Sequence, residues 1–220
     1  MKISAILLGA GESKRMGKDK LFLPWGRTTV LEHCLKVLLR SRAGEVIVVL
    51  QESKGAIGEA GKSPKVKVVN NPDYLEGMSS SIRKGVRVAD PKSAGILIAF
   101  GDMPFIRPQT INALIRAFEK AKRRIVVPML HGRRGHPVIF PRTYEGELLR
   151  LEGDTGGRAI LMKHPEAVLT IPVQSEGVLR DLDTWTDYEG ALKKRPSLRG
   201  KINREGATCH QTKGYRNGSS

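Results

Sequence analysis

Short β-rich apolar runs recur along the chain with room for a helix between most of them. They fall at Lys2 to Leu8, Glu45 to Leu50, Lys65 to Val69, Gly95 to Phe100, Ile125 to Met129, Pro137 to Phe140 and Val168 to Val173. Between them the apolar period lengthens. Thr28 to Arg42 sets Val30, Leu31, Cys34, Leu35, Leu38 and Leu39 at helical spacing, with Thr28 or Thr29 able to cap. Ser79 to Val88 and Pro108 to Lys122 predict two further helices, the second opened by a proline where one suits a first turn. Strands alternating with helices predict an α/β fold with a mostly parallel sheet, whose site lies in loops at strand C-terminal ends. From Leu130 to Arg142 the alternation breaks: His-Gly-Arg-Arg-Gly-His-Pro leads into a strand, predicting a small hairpin or lid insertion beside the main sheet. After Leu192 apolar periodicity ends. Residues 1–192 are expected to form one domain and 193–220 a basic, disordered tail.

Composition sharpens this picture in a few places. At 220 residues with 40% hydrophobic content, the chain can bury a substantial core. The net charge of +16 suggests an anionic partner, but the tail from Lys193 carries +7 of it, leaving +9 for the body. Small anionic substrates account for that remainder as well as RNA does, and four Tyr and five Phe give no aromatic array for stacking bases. Specific nucleic-acid binding is not expected. Cys34 and Cys209 form neither a disulfide framework nor a zinc spacing. The opening apolar run is shorter than a signal-peptide core, and none approaches the roughly 20 residues of a membrane span, so a cytoplasmic location is expected.

The strongest chemical signal follows the first predicted strand. Leu8, Gly9, Ala10 and Gly11 lead into a loop carrying Lys14, Arg15, Lys18 and Lys20. Glycines free the backbone to aim N–H groups at phosphate oxygens, and the cations neutralise their charge. Two common phosphate loops fail here. Five residues separate Gly11 from Gly17-Lys18 where a Walker A loop has four, and Asp19 replaces its hydroxyl residue. Lys14 stands where the dinucleotide fingerprint has its third glycine.

Further signals are weaker singly. Asp102, in Gly101-Asp102-Met103-Pro104, follows a predicted strand and can either hold Mg²⁺ or cap the turn. Asp181 and Asp183 alternate around Leu182, so either can join Asp102 in a metal site, or the segment can cap a closing helix from Thr184. Gly77-Met78-Ser79-Ser80-Ser81 is either a hydroxyl-rich nucleoside loop or an ordinary helix start. Arg134-Gly135-His136-Pro137 and Gly153-Asp154-Thr155-Gly156-Gly157-Arg158 suit a second anionic substrate, although a lone His also serves in tight turns.

In this order the motifs resemble the nucleotidyltransferases of molybdenum cofactor biosynthesis, most closely the molybdenum cofactor cytidylyltransferases. The resemblance covers roughly residues 3–192: Leu8 to Gly17, Lys20 to Pro24, Gly77 to Ser81, Gly101 to Pro104, Arg134 to Pro137 and Gly153 to Arg158. Gly9 stands where that family has alanine, and Trp185-Thr186 where it has Pro-Glu. The resemblance implies a Rossmann-like three-layer sandwich and CMP transfer from CTP to the phosphate of molybdopterin or molybdenum cofactor. It implies that Leu8, Gly9, Ala10, Gly11, Arg15, Lys20, Ser80, Ser81 and Asp102 bind nucleotide, with Arg15, Lys20 and Asp102 catalytic. Mg²⁺ would sit on Asp102 and Asp183, with Asp181 the second candidate. Gly135, His136, Asp154 and Arg158 would face a phosphorylated pterin, and a molybdoenzyme or its chaperone would be the partner. Guanylyl transfer from GTP, sugar-phosphate nucleotidyl transfer, a basic RNA-binding protein and a nucleotide sensor remain alternatives.

Overall fold

The chain starts in β1 (Ile3–Gly9), passes a two-residue hairpin of β2 (Pro24–Trp25) and β3 (Thr28–Thr29), and enters α1 (Val30–Leu39). It continues through β4 (Glu45–Leu50), β5 (Val66–Asn70), α2 (Met78–Val88), β6 (Gly95–Phe100), α3 (Pro108–Ala121) and β7 (Ile125–Leu130). Then come β8 (Arg133–Arg134), β9 (Val138–Pro141), α4 (Glu145–Leu148), α5 (Arg158–Lys163), β10 (Val168–Pro172) and α6 (Trp185–Lys194). The computed structural model describes residues 1–11, 16, 19–51, 57–121 and 124–194. Among the described residues the main sheet runs β10-β7-β9-β6-β1-β4-β5, with β8 paired to β7.

Every residue of β1 is buried, and its neighbours β4 and β6 run parallel to it on either side. Successive side chains then enter opposite layers. Ala5 and Leu7 pack beneath α1 and α3 with Leu35, Leu38, Ile111 and Leu114. Ile6 and Leu8 meet α2, α4 and α5 through Ile82, Val86, Leu148 and Ile160. Each Val, Leu or Ile among them is worth about 1.5–3 kcal/mol when fully buried. Thr29 caps α1 by accepting the Glu32 N–H at 3.1 Å, as its position in the sequence predicts. The mostly parallel three-layer α/β architecture is therefore the one expected.

One placement differs from expectation. Residues 129–134 do form a small hairpin, but the strand that follows is no insertion beside the sheet. β9 lies within it, antiparallel to both β6 and β7. Its residues are buried throughout, with Phe140 1% exposed, because the helices packed on both sides of the sheet cover its two faces.

The connection order places the site. From β1 the chain moves to β4 and β5 on one side, then returns through α2 to β6 on the other, so β1 and β6 flank a switch point. A third apolar cluster, containing Trp25, Phe105, Leu182 and Tyr188, packs α6 against the β2–β3 hairpin. Tyr188 donates its hydroxyl to the Pro24 carbonyl at 2.6 Å, and the Trp185 indole N–H donates to Met16 O at 3.0 Å. The segment leading into α6 is thereby held against the C-terminal end of the sheet.

Candidate functional site

A cavity of about 400 Å³ opens at the switch point, lined by Leu8, Ala10, Gly11, Lys20, Ser81 and Asp102 among others. The β1 end and the turn after β6 are tied together, since Gly101 N–H donates to Leu8 O at 2.8 Å. Across the same mouth, Leu182 N–H donates to Asp102 O at 2.9 Å. That backbone bond and the burial of Leu182 at 1% exposure fix the register of the Asp-Leu-Asp segment. Of its two acids, Asp183 reaches Lys20.

Lys20 is the electrostatic centre of the cavity. Its Nζ lies 2.8 Å from Asp102 Oδ2 and 2.8 Å from Asp183 Oδ1. Burial would lower the ammonium's pKa, but the two carboxylates outweigh it and hold the pKa above the ordinary lysine value. Asp181 stays out of this contact. Burial, reinforced by the neighbouring Asp183 and Asp102 charges, pushes its pKa up. The point where Asp102 and Asp183 converge is thus already a cation site. Among the described residues, no cluster of three or more His, Cys, Asp or Glu suits a metal, and the carboxylates that meet at Lys20 are Asp102 and Asp183. That donor set fits a hard divalent ion that takes its remaining ligands from phosphate oxygens and water.

Other expected residues are distributed unevenly. Gly9 does not line the cavity: a Cβ there would lie 2.8 Å from Leu50 Cδ2 and 3.3 Å from Leu31 Cδ1, pointing into the core. Ser80 is 1% exposed, donating to Gly77 O at 2.8 Å and accepting from Asn71 Nδ2 at 2.8 Å. It stands behind the cavity wall, whereas Ser81 is on it. Lys14, Arg15, Gly17, Lys18 and residues 195–220 lie outside the described residues.

A second cavity, of about 690 Å³, adjoins the first, and Phe100 and Met78 line both. Gly135, His136 and Arg158 line it together with Arg133 and Arg134. None of these three arginines forms a salt bridge among the described residues. The His136 ring packs edge-on to Phe100 at 4.5 Å, and its buried Nδ1 has no hydrogen-bond partner among them. Burial lowers its pKa against the opposing pull of Asp102, so the imidazole is neutral at pH 7.

Asp154, expected with this second group, belongs instead to the first cavity. Its Oδ1 accepts the Met78 N–H at 2.9 Å, and Gly153 O accepts the Ser79 N–H at 3.0 Å, so the loop clasps the start of α2. A carboxylate is stabilised at a helix N-terminus, which explains the capture. Gly77 permits it: the residue has φ of 98°, and a Cβ there would meet Asp154 Oδ1 at 2.6 Å.

Sequence reasoning missed Gln51, Tyr74 and Leu75. Gln51 Nε2 donates to Ala10 O at 3.2 Å, and its place just after β4 was the available signal. Tyr74 and Leu75 line the nucleotide-sized cavity from a single 3-10 turn that no periodicity marks.

The family described as MobA-like NTP transferase domain matches residues 5–168. The chain is 23% identical over 192 residues to molybdenum cofactor cytidylyltransferase of Escherichia coli strain K12, covering 87% of this chain and 96% of that protein. It is 29% identical over 190 residues to nicotine blue oxidoreductase of Paenarthrobacter nicotinovorans, covering 83% and 92%. Among solved structures, the manganese complex of Rv0371c from Mycobacterium tuberculosis H37Rv matches with a TM-score of 0.71 and 30% identity, over 88% of this chain and 99% of that one. No helix among the described residues is long and apolar enough to cross a membrane.

Proposed function

This chain belongs to the MobA-like NTP transferase family and is a nucleotidyltransferase, and on that premise we propose that it transfers CMP from CTP to the phosphate of molybdopterin or molybdenum cofactor. The observation that carries this reading is the pair of adjoining cavities. One is lined by Lys20 and Asp102, with Asp183 also 2.8 Å from the Lys20 ammonium, and the other is edged by Arg133, Arg134 and Arg158, which form no salt bridge among the described residues. Two anionic reactants thus have separate seats that meet at Phe100 and Met78.

The acceptor needs no activating base, because a phosphate monoester has its second pKa at about 6 and is largely dianionic at neutral pH. Its oxygen attacks the CTP α-phosphorus, a new P–O bond forms, and the bond from the α-phosphorus to the bridging oxygen breaks as pyrophosphate departs. Both triphosphate and acceptor are anions, so the protein's contribution is to hold them in line and offset their repulsion. Arg158 and Arg134 would bind the acceptor phosphate. Lys20, with the backbone N–H groups of Ala10 and Gly11, would take the triphosphate, and Arg15 of the same loop would join them. Asp102 and Asp183 would hold Mg²⁺, which when bound supplies charge neutralisation at the phosphates under attack. Neutral His136 lines the acceptor seat without adding a carboxylate-paired charge to it.

Pyrophosphate release measured for each of four nucleoside triphosphates against molybdopterin and sugar phosphates tests the assignment. CTP with molybdopterin should give the highest kcat/KM. GTP exceeding CTP would replace the cytidylyl reading with guanylyl transfer, and preference for a sugar phosphate would replace the acceptor.

A further inference from the structure

Directly behind the nucleotide cavity lies a buried polar cluster that the reaction as described leaves unused. Asn71 is 0% exposed, and its backbone N–H is committed to Leu50 O at 2.7 Å. Its side-chain amide donates to two neighbouring hydroxyls, Ser80 Oγ at 2.8 Å and Ser81 Oγ at 2.9 Å. The amide's orientation follows from the network. Ser80 gives its own proton to Gly77 O at 2.8 Å, so toward Asn71 it can only accept, and the nitrogen must face it.

The consequence falls on Ser81. A serine hydroxyl has one proton and two lone pairs, and one lone pair of Ser81 is filled by Asn71. Its proton has no acceptor among the hydrogen bonds of the described residues, and Ser81 lines the nucleotide cavity. We propose that Asn71 is a positioning residue, which fixes the Ser81 hydroxyl as a hydrogen-bond donor aimed into the cavity to read an acceptor atom on the nucleoside.

A second feature supports the role. Asn71 Oδ1 is buried without a hydrogen-bond partner among the described residues. A buried carbonyl left unpaired is destabilising, and packing alone gives no reason to carry one here. The arrangement makes sense if the two N–H donors are what the site needs. Asn71 also bridges the elements concerned, since it follows β5, is bonded to the end of β4, and grips the first turn of α2.

The inference rests on the reading that this cavity receives the nucleotide, and the test separates the two. CTP binding is measured by titration calorimetry for the unaltered protein, Asn71→Asp, Asn71→Ser, Ser81→Ala and the two double variants. Asp offers only acceptor oxygens, so it would draw the Ser81 proton inward, while Ser is too short to reach and introduces no buried charge. Each single variant should weaken CTP by about tenfold, the scale of one hydrogen bond in a dry site. In the Ser81→Ala background, adding either Asn71 variant should weaken CTP no further, although both should still lower the unfolding temperature. A purely structural Asn71 would instead add its full loss to that of Ser81→Ala, and that result would overturn the proposal. Should Asn71→Asp fail to fold, Asn71→Ser carries the same comparison. Unaltered protein that binds CTP, paired with Asn71 variants that bind it equally well, would overturn this inference alone. Failure of the unaltered protein to bind any of the four triphosphates would overturn the cavity assignment along with it.

Discussion

Replacing Lys20 with Ala removes an ammonium that touches both Asp102 and Asp183, each at 2.8 Å. A unit charge pair at about 4 Å is worth about 4 kcal/mol at an effective dielectric near 20, and desolvation of the ions offsets much of that. Breaking a buried pair by deleting one partner costs about 3–5 kcal/mol. Here the side chains of Asp102 and Asp183 are 22% and 41% exposed, so solvent recovers part of the loss, leaving about 2–3 kcal/mol. In a domain of this size about 1 kcal/mol moves the melting midpoint by 2–4 °C. The variant should therefore melt about 4–12 °C lower in chelator-treated buffer at low ionic strength. Millimolar Mn²⁺ or Mg²⁺ should recover more of that loss in the variant than it adds to the unaltered protein, because two facing carboxylates without their lysine bind a divalent ion more readily. Turnover should fall by about 10²–10³, the range for deleting one well-placed charge-stabilising donor. Differential scanning fluorimetry with and without metal, beside pyrophosphate release, reads all three effects. A variant that melts with the unaltered protein, ignores divalent ions and turns over within a few-fold of it would refute the electrostatic argument.

Other consequences are open to simple measurement. Gly9→Ala should cost about 1–3 kcal/mol by pressing on the buried Leu50 and Leu31 side chains, while the ratio of CTP to GTP turnover stays within about threefold, because the new methyl points into the core. Glu45 is buried within β4, which would raise its pKa, yet the Ser4 hydroxyl, the Asp90 N–H and Lys67 hold it below the ordinary glutamate value. A carboxylate with a depressed folded pKa adds stability that is present above its unfolded pKa of about 4.3 and disappears as pH falls through the folded one. Glu45→Gln should accordingly lose about 1–2 kcal/mol in urea unfolding at pH 7, with the gap closing below about pH 4; an equal gap at both pH values would contradict the assignment. Arg158→Ala should raise KM for the acceptor about tenfold with little effect on KM for the triphosphate, as steady-state kinetics would show.

How much of this was legible depended on the range of the interaction. β1, β4 and β6 announced themselves because central parallel strands are covered on both faces and read as unbroken apolar runs. The 3.6-residue period of α1 and α3 was equally local. By contrast β2 and β3 have two residues each and α4 has four, too few for a period to show, and their places are set by tertiary packing. β9 gave its strand character away but not its neighbours, since pairing partners in a sheet are chosen by the whole fold. Within the site, proximity to a strand's C-terminal end sufficed to single out Gly11 and Asp102. The contact that organises them did not appear in any window, because Lys20 and Asp183 are 163 positions apart in the chain. The bonds that Asp154 and Ser80 make were hidden for a related reason: a motif shows which groups can bond, while the clasp on α2 and the amide of Asn71 decide which of them do.

The most direct test of nucleotidyl transfer follows the phosphorus atoms themselves. The protein is incubated with molybdopterin, Mg²⁺ and CTP labelled at either the α or the γ phosphorus, and the products are separated by chromatography. Label from the α position should move onto the acceptor and label from the γ position should appear in pyrophosphate, both being lost in Asp102→Ala while that variant keeps its folded circular dichroism. Appearance of the γ label on the acceptor, or of free CMP at the same rate with the acceptor left out, would contradict the account.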